Sequence, residues 1–373
     1  MRWIVTLAVV WAATSPARAE SPASITFGGY VETYYSFNFR RPSNHITNLR
    51  GFDNREGTFT LSNVALGTKA TRGPLSVEII LQVGSTPSTY YLAEPTLAGT
   101  STVNANDGPL WKYIQKAVFA YNAPHGFVLD AGLMPSPIGC EAFAVKDNWN
   151  WSRSNLFFGL PFYHTGARVA HALSDSWTGM LHVYSGWNSV VDNNPYPSIA
   201  LSANYASDAV KGQVIYMGGI ERPPGAPEGN AWRNLLDAVA TIDISDAVAV
   251  QGELDGGVEP NAFGTSGWFA AAAYGKVTLS DALFTALRVD YFREWVATGA
   301  TPIVWPTEWL ASITATLAYQ PIDGVSLRLE LRHDQAKTPV FFGGTVEGDG
   351  VTMPFVPNRR SQDTMTLGAT AWF

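Results

Sequence analysis

Residues 325–332 read Val325-Ser326-Leu327-Arg328-Leu329-Glu330-Leu331-Arg332. Every second side chain is aliphatic and the ones between are hydroxyl or charged, a period of two that an extended strand turns into one apolar and one polar face. The same alternation places Leu75, Val77, Ile79, Leu81 and Val83 opposite Ser76, Glu78 and Gln82. Such strands have water on one side and something apolar on the other.

Working outward, about sixteen segments share this character. They begin near Ile25, Gly57, Leu75, Trp111, Phe127, Gly166, Trp177, Ser198, Val210, Ala231, Ala247, Gly267, Ala282, Thr307, Val325 and Gln362. Their connections alternate between tight and long. The tight ones are Arg72-Gly73-Pro74, Ala123 to Gly126, Ser174-Asp175-Ser176, Ser207-Asp208-Ala209, Ser245-Asp246-Ala247, Ser280-Asp281-Ala282 and Ile322-Asp323-Gly324. The recurring Ser-Asp pairs suit turns, because their side chains bond back to their own backbone. Long segments lie at 39–56, 85–110, 135–163, 188–197, 221–230, 256–266, 296–306 and 338–360. Short turns at one rim and long loops at the other are the signature of a transmembrane barrel with periplasmic turns and extracellular loops.

Composition agrees. Charged residues are 15% and aromatics 13%, where soluble domains carry about 25% charge. No segment after the N-terminus gives a membrane helix of 18 apolar residues. A chain poor in charge and without such a helix fits an outer wall that faces lipid. Residues 1–19 read as a cleavable secretory signal, with Arg2, an apolar run from Trp3 to Ala13, and Ala17-Arg18-Ala19 before Glu20. The remainder, 20–373, reads as one domain. Without Arg2 and Arg18 it has 22 basic and 31 acidic residues, a net charge of −9 that argues against nucleic acid. The single cysteine, Cys140, rules out an internal disulfide framework.

Backbone polar groups have no water to bond in hydrocarbon, so the sheet must close on itself. The closing strand is Gln362 to Phe373, with Met365, Leu367, Ala369, Ala371 and Phe373 alternating against Thr364, Thr366, Gly368 and Thr370. Trp309 and Tyr319 share a face ten residues apart, as do Phe27 and Phe37. At ~3.3 Å per residue and a tilt of roughly 45° they climb about 23 Å, close to the ~25 Å band between aromatic girdles. In Phe59 to Lys69 the apolar residues change parity between Leu61 and Val64, which predicts a bulge. The segment Trp111 to Tyr121 is apolar on both faces.

One long connection differs from the rest. Met134 to Arg168 reads MPSPIGCEAFAVKDNWNWSRSNLFFGLPFYHTGAR and packs Trp149, Trp151, Phe157, Phe158, Phe162 and Tyr163 among polar residues. So aromatic a loop is ordered rather than disordered. It is expected to fold into the barrel lumen between 135 and 164, with Pro135, Pro137 and Gly139 shaping its departure.

The stretches GGYVETYYSFNFRRPSN, LMPSPIGCEAF, DNWNWSRS, PFYHTGAR, SGWNSVVDNN and LRLELRHD together resemble the OmpL-like beta-barrel porin-2 family. The resemblance covers nearly the whole chain after residue 19. It implies a bacterial outer-membrane barrel that passes small solutes and has no catalytic residues. Cys140 departs from it, standing where a bulky aromatic is expected after Pro-Ile-Gly.

In a pore the working parts are charges on inward faces and on a loop folded inside. Loop candidates for a constriction are Glu141, Lys146, Asp147 and Arg153, with His164 and Arg168 where the loop rejoins the wall. Wall candidates are Glu32, Glu78, Arg288, Asp290, Arg328, Glu330 and Arg332. Opposed acids and bases would set a transverse field; the alternative is that they neutralise one another across strand pairs. The loop aromatics either pin the loop to the wall or offer a sliding surface for sugars.

Ser154, His164 and Asp147 supply the types of a hydrolase triad, without a G-x-S-x-G elbow. Asp192-Asn193-Asn194 and Asp53-Asn54 read as turns rather than calcium ligands, and the six histidines show no H-x-x-x-H. No cofactor or metal is expected. The expected partners are outer-membrane lipid and small hydrophilic solutes or ions, and barrels of this sort often trimerise, so a homotrimer is compatible. Competing readings are a non-conducting adhesin or receptor barrel, then a lipolytic barrel, then a soluble β-sandwich.

Overall fold

The computed structural model describes residues 23–94 and 108–373. Residues 1–19, expected from sequence to be a signal, and part of the 85–110 connection lie outside the described residues. Sixteen antiparallel strands form one closed barrel in sequence order. They are β1 (Ser24–Asn38), β2 (Phe59–Arg72), β3 (Leu75–Val83), β4 (Ile114–Asn122), β5 (Phe127–Pro135), β6 (Tyr163–Ala172), β7 (Trp177–Tyr184) and β8 (Ser198–Ala206). The circle continues with β9 (Val210–Ile220), β10 (Trp232–Ser245), β11 (Val248–Asn261), β12 (Gly264–Ser280), β13 (Leu283–Trp295), β14 (Trp309–Tyr319), β15 (Val325–Ala336) and β16 (Ser361–Trp372). β16 closes on β1 with Tyr30 opposite Trp372 and Asn38 opposite Thr364, so no edge is left unpaired. Gly29 and Phe373 exchange backbone hydrogen bonds at the short-turn rim.

Alternation decides which side each residue faces. On β15, Ser326, Arg328, Glu330, Arg332 and Asp334 are buried inside, while Leu327, Leu329 and Leu331 are exposed outside. The outward face continues through Leu287, Val289, Ile313 and Leu317, with Phe27 and Tyr319 also exposed. The ring of Tyr291 stacks on that of Trp309 at 6.4 Å. The parity change in β2 is a bulge: Glu32 pairs with Asn63 and Thr33 with Leu61, so Ser62 is the extra residue. Ser62 and Asn63 are both buried, and the Ser62 hydroxyl meets that of Thr86 at 2.8 Å.

The Ser-Asp turns use their side chains as expected. The amide of Val210 donates to Ser207 Oγ at 3.1 Å and that of Trp177 to Ser174 Oγ at 3.2 Å. Two readings need correction. Trp111 ends a short helix, Gly108–Trp111, and β4 starts at Ile114, with a register shift opposite Ile80 and Leu81. The 256–266 segment is not a long loop: β11 and β12 run through it and pair down to Asn261 opposite Gly264. Its glycines serve packing instead. A Cβ on Gly257 would lie 2.1 Å from the Trp268 ring, and one on Gly267 2.5 Å from the Trp295 ring, so the strands keep glycine where a tryptophan lies flat on them.

Candidate functional site

Residues 136–162 leave β5, cross the lumen and return to β6, and every long-range hydrogen bond they make explains their path. At the near end, the amide of Gly139 donates to Asp237 on β10 (3.2 Å), and that of Cys140 to Glu253 on β11 (3.2 Å). Halfway, the amide of Val145 donates to Glu32 on β1 (2.6 Å). The Asn150–Asn155 segment then lies against β13–β15. Glu330 accepts from the amides of Trp151 (2.6 Å) and Ser152 (3.0 Å), and Asp290 from Asn155 Nδ2 (2.8 Å). Arg288 donates to Ser152 O (2.5 Å), Arg153 O (3.2 Å) and Thr314 Oγ1 (3.0 Å), and pairs with Glu141 at 2.9 Å. Arg332 donates to Arg153 O (2.5 Å) and Arg328 to Asn150 O (3.0 Å).

The logic is that of polar satisfaction. A loop whose only regular structure is two short 3-10 turns, Val145–Asp147 and Phe157–Gly159, presents many unpaired amides and carbonyls, and burying them costs about 1–3 kcal/mol each unless they find partners. The inward charges of β1, β10, β11, β13 and β15 supply those partners. Arg153 works in the same way from within the loop, donating to Ala142 O (3.1 Å), Trp151 O (2.6 Å) and Phe143 O. Glu141 reaches back to the amide and hydroxyl of Ser154 at 2.8 and 2.5 Å. Ile138, Leu156 and Leu160 bury against Met217, Leu235, Trp268 and Phe292 of the wall. Trp151 lies on Gly368 of β16, where a Cβ would come within 2.2 Å of its ring.

Thus Glu32, Arg288, Asp290, Arg328, Glu330 and Arg332 are all buried to 5% exposure or less, and they hold loop backbone. His164 is also fully buried, stacked on Tyr184 at 4.1 Å, with Nδ1 against Gly186 O (2.9 Å) and Nε2 against Ser136 Oγ (3.1 Å). Lys146 and Asp147 form a partly exposed pair at 2.8 Å on the short-turn side of the loop. Glu78 pairs with Lys116 at 2.9 Å and Arg168 with Asp130 at 2.6 Å, all partly exposed. Ser154, His164 and Asp147 therefore have separate partners: Glu141 for Ser154, Ser136 and Gly186 for His164, and Lys146 for Asp147. Asp192 caps a turn by accepting from Asn194 N at 2.9 Å, and Asp53 pairs with Arg50.

Two groups escaped the sequence reading. Asp237, Glu253 and Asp255 are buried lumen-side acids, Asp237 directly opposite Asp255 in register. One carboxylate oxygen of each has no hydrogen-bond partner among the described residues. Their parity opposite Leu236 and Leu254 was the available signal. Burial, and after it Glu253, push the Cys140 thiol well above its ordinary pKa, so it is a poor nucleophile. The second group is aromatic: Phe52 and Tyr90 from the first two long loops meet Phe143, Phe157, Phe158 and Phe162.

The docking geometry yields a direct expectation. Gly368→Val should expel Trp151 from β16 and loosen the loop, so that limited trypsin digestion cuts after Lys146 or Arg153 in the variant while the parent stays intact.

A closed sixteen-stranded barrel with an ordered loop across its lumen and an apolar outer wall defines an outer-membrane porin. The family described as "Putative beta-barrel porin-2, OmpL-like" matches residues 24–373, and the chain belongs to it. No curated protein sequence matches. Among solved structures, the chain resembles OmpT of Vibrio cholerae in its trimer form, at 9% identity and TM-score 0.60, over 95% of this chain and 100% of that one. It also resembles the anion-selective porin from Comamonas acidovorans, at 13% identity and TM-score 0.61, over 94% and 100%. A third likeness is to the outer membrane channel DcaP of Acinetobacter baumannii, at 10% identity and TM-score 0.59, over 94% and 97%. At these identities the likeness is one of fold.

Proposed function

We propose that the protein is a passive diffusion channel for small hydrophilic solutes or ions, narrowed by the 136–162 loop and driven by concentration difference alone. The observation that carries this reading is the docked loop itself: the wall fixes it across the lumen with charged side chains and leaves cavities on both sides. In this reading Glu32, Glu141, Arg153, His164, Arg288, Asp290, Arg328, Glu330 and Arg332 set the position of the constriction. Glu78, Lys146, Asp147 and Arg168 meet the solute. Purified protein in a planar bilayer is expected to give stepwise conductance; its absence would favour the receptor or adhesin reading.

The four side chains proposed to meet the solute sit in neutral pairs, Glu78 with Lys116, Lys146 with Asp147 and Arg168 with Asp130. A paired charge presents a dipole rather than a net field to a passing ion. A small reversal potential under a salt gradient is therefore expected, despite the net charge of −9 over residues 20–373. A large one of either sign would show that unpaired groups dominate the path.

The same proposal includes a homotrimer joined through β3–β8. These strands have 8 to 10 residues against 13 to 17 for β11–β13. At ~3.3 Å per residue and a roughly 45° tilt the shortest of them, β7 with 8 residues, climbs about 19 Å, below the ~25 Å apolar band that β11–β13 overtop. Covering this low sector with a second copy relieves the mismatch. Light scattering of the detergent-solubilised protein should return three chains per particle, and a single chain would remove this part.

A further inference from the structure

The cavities on the two sides of the loop are separated by very little. Below it, open toward the short-turn rim at Thr26 and Lys69, lies a space of about 610 Å³ roofed by Tyr90, Phe157, Pro161 and Phe162. Above it lies a vestibule of about 500 Å³ bordered by Phe158, Phe162, Trp187, Glu221 and Arg233. Phe162 borders both. Its ring is stacked between Tyr90 (5.1 Å, 17°) and Phe157 (5.2 Å, 20°), while Phe52 stands edge-on to Phe157 at 5.6 Å and 77°. Phe162 is thus the ring that faces both spaces, and Tyr90 and Phe157 flank it in a near-parallel row from the lower side.

That row is held at its backbone as well as its faces. The amide of Phe162 donates to Asn188 Oδ1 at 2.5 Å, and its carbonyl accepts from Ser136 N at 2.8 Å and from the Tyr90 hydroxyl. The cation near the row is already engaged: Arg153 lies over Phe52 at 5.3 Å and Phe157 at 6.0 Å, but its donors point to loop carbonyls. A hydrated ion reaching the rings must shed water and finds no polar replacement from them. A solute with a flat apolar ring face exchanges one stacking partner for another and so keeps the ring contact that a hydrated ion lacks.

With the channel reading as premise, we propose that Phe157 and Phe162 form the selectivity barrier, an aromatic septum that retards hydrated inorganic ions and favours solutes presenting a flat apolar ring face. The charged wall then places the septum and does not itself select. Sugars and aromatic carboxylates share the required face, and separate probes distinguish them.

The test combines KCl conductance in planar bilayers with swelling of protein-loaded liposomes in glucose, in sodium benzoate and in sorbitol, which has no ring. Phe162→Ala is expected to raise KCl conductance about tenfold, equivalent to ~1.4 kcal/mol of barrier, while Phe162→Leu, which keeps apolar bulk, stays near the parent. In the parent, glucose or benzoate should enter faster than sorbitol, the faster of the two naming the solute class, and the difference should vanish in Phe162→Ala. A folded Phe162→Ala barrel with unchanged KCl conductance, or a parent that admits sorbitol as fast as both ring solutes, overturns the septum. Should Phe162→Ala not assemble, Phe157→Ala carries the same expectation and the same refutation. Conductance in the parent with indifference to these variants removes the septum alone. Silence of the parent, the variants and the loop deletion described below removes the channel reading.

Discussion

Deleting Asn148–Leu160 is expected to raise single-channel conductance at least tenfold and to leave the barrel folded. The segment contributes Trp151 against β16, Leu156 and Leu160 against the β9–β12 wall, and the Phe157 and Phe158 rings, so its removal opens the cross-section where the two cavities meet. Sixteen strands enclose a lumen wide enough for an aqueous channel once no loop fills it. The wall strands do not depend on the segment for their own pairing, which is complete from β1 round to β16. Arg288, Arg328, Arg332, Glu330 and Asp290 lose their backbone partners but gain water, and an exposed charge carries little of the penalty of a buried one. Heat-dependent gel migration should stay close to the parent's while conductance rises. An unchanged conductance would take this segment out of the constriction.

How much of this was readable beforehand follows from which contacts are local. The strands were legible because lipid on one side and water on the other force a period of two that each strand carries by itself. All sixteen expected starts fall within three residues of the observed ones. The Ser62 bulge was legible for the same reason, since a parity change is a local event. The β11–β12 hairpin was not, because Gly256, Gly257, Pro260 and Gly264 have the composition of a loop, and the rings that explain Gly257 and Gly267 lie opposite them on neighbouring strands, a placement visible only once the register is known.

The inward charges were legible by parity, and their partners were not. Glu330 meets the amide of Trp151 across 179 positions and Arg288 the carbonyl of Ser152 across 136, separations at which one sequence holds no register. The choice between pinning aromatics and a sliding surface splits along the loop in the same way. Trp151 is buried on Gly368, whereas Phe157 and Phe158 are only partly buried, Phe157 bordering the lower cavity and Phe158 the upper one. Phe52 and Tyr90 were passed over because nothing near them in sequence shows that the first two long loops lean over the third.

Replacing Arg288 by alanine is expected to cost more stability than any other single change in the docking wall, and to open the channel besides. Its guanidinium is fully buried and serves Glu141, Ser152 O, Ser152 Oγ, Arg153 O and Thr314 Oγ1 together. Removing one partner of a buried pair costs about 3–5 kcal/mol, because the other is left charged and unpaired. Glu141 would be that partner, with two loop carbonyls stranded beside it. The loop can recover part of the loss by lifting into water, which converts a stability defect into a wider pore. Arg328→Ala is the control: it forfeits Asn150 O at 3.0 Å and a long contact to Ser326 Oγ at 3.4 Å, so its effects should be several times smaller. The unfolding midpoint in denaturant and the KCl conductance of both variants decide the matter. Equal effects of Arg288→Ala and Arg328→Ala would mean that loop position is set by apolar packing of Ile138, Leu156 and Leu160, and the arginines would then be charge-balancing groups along the strand.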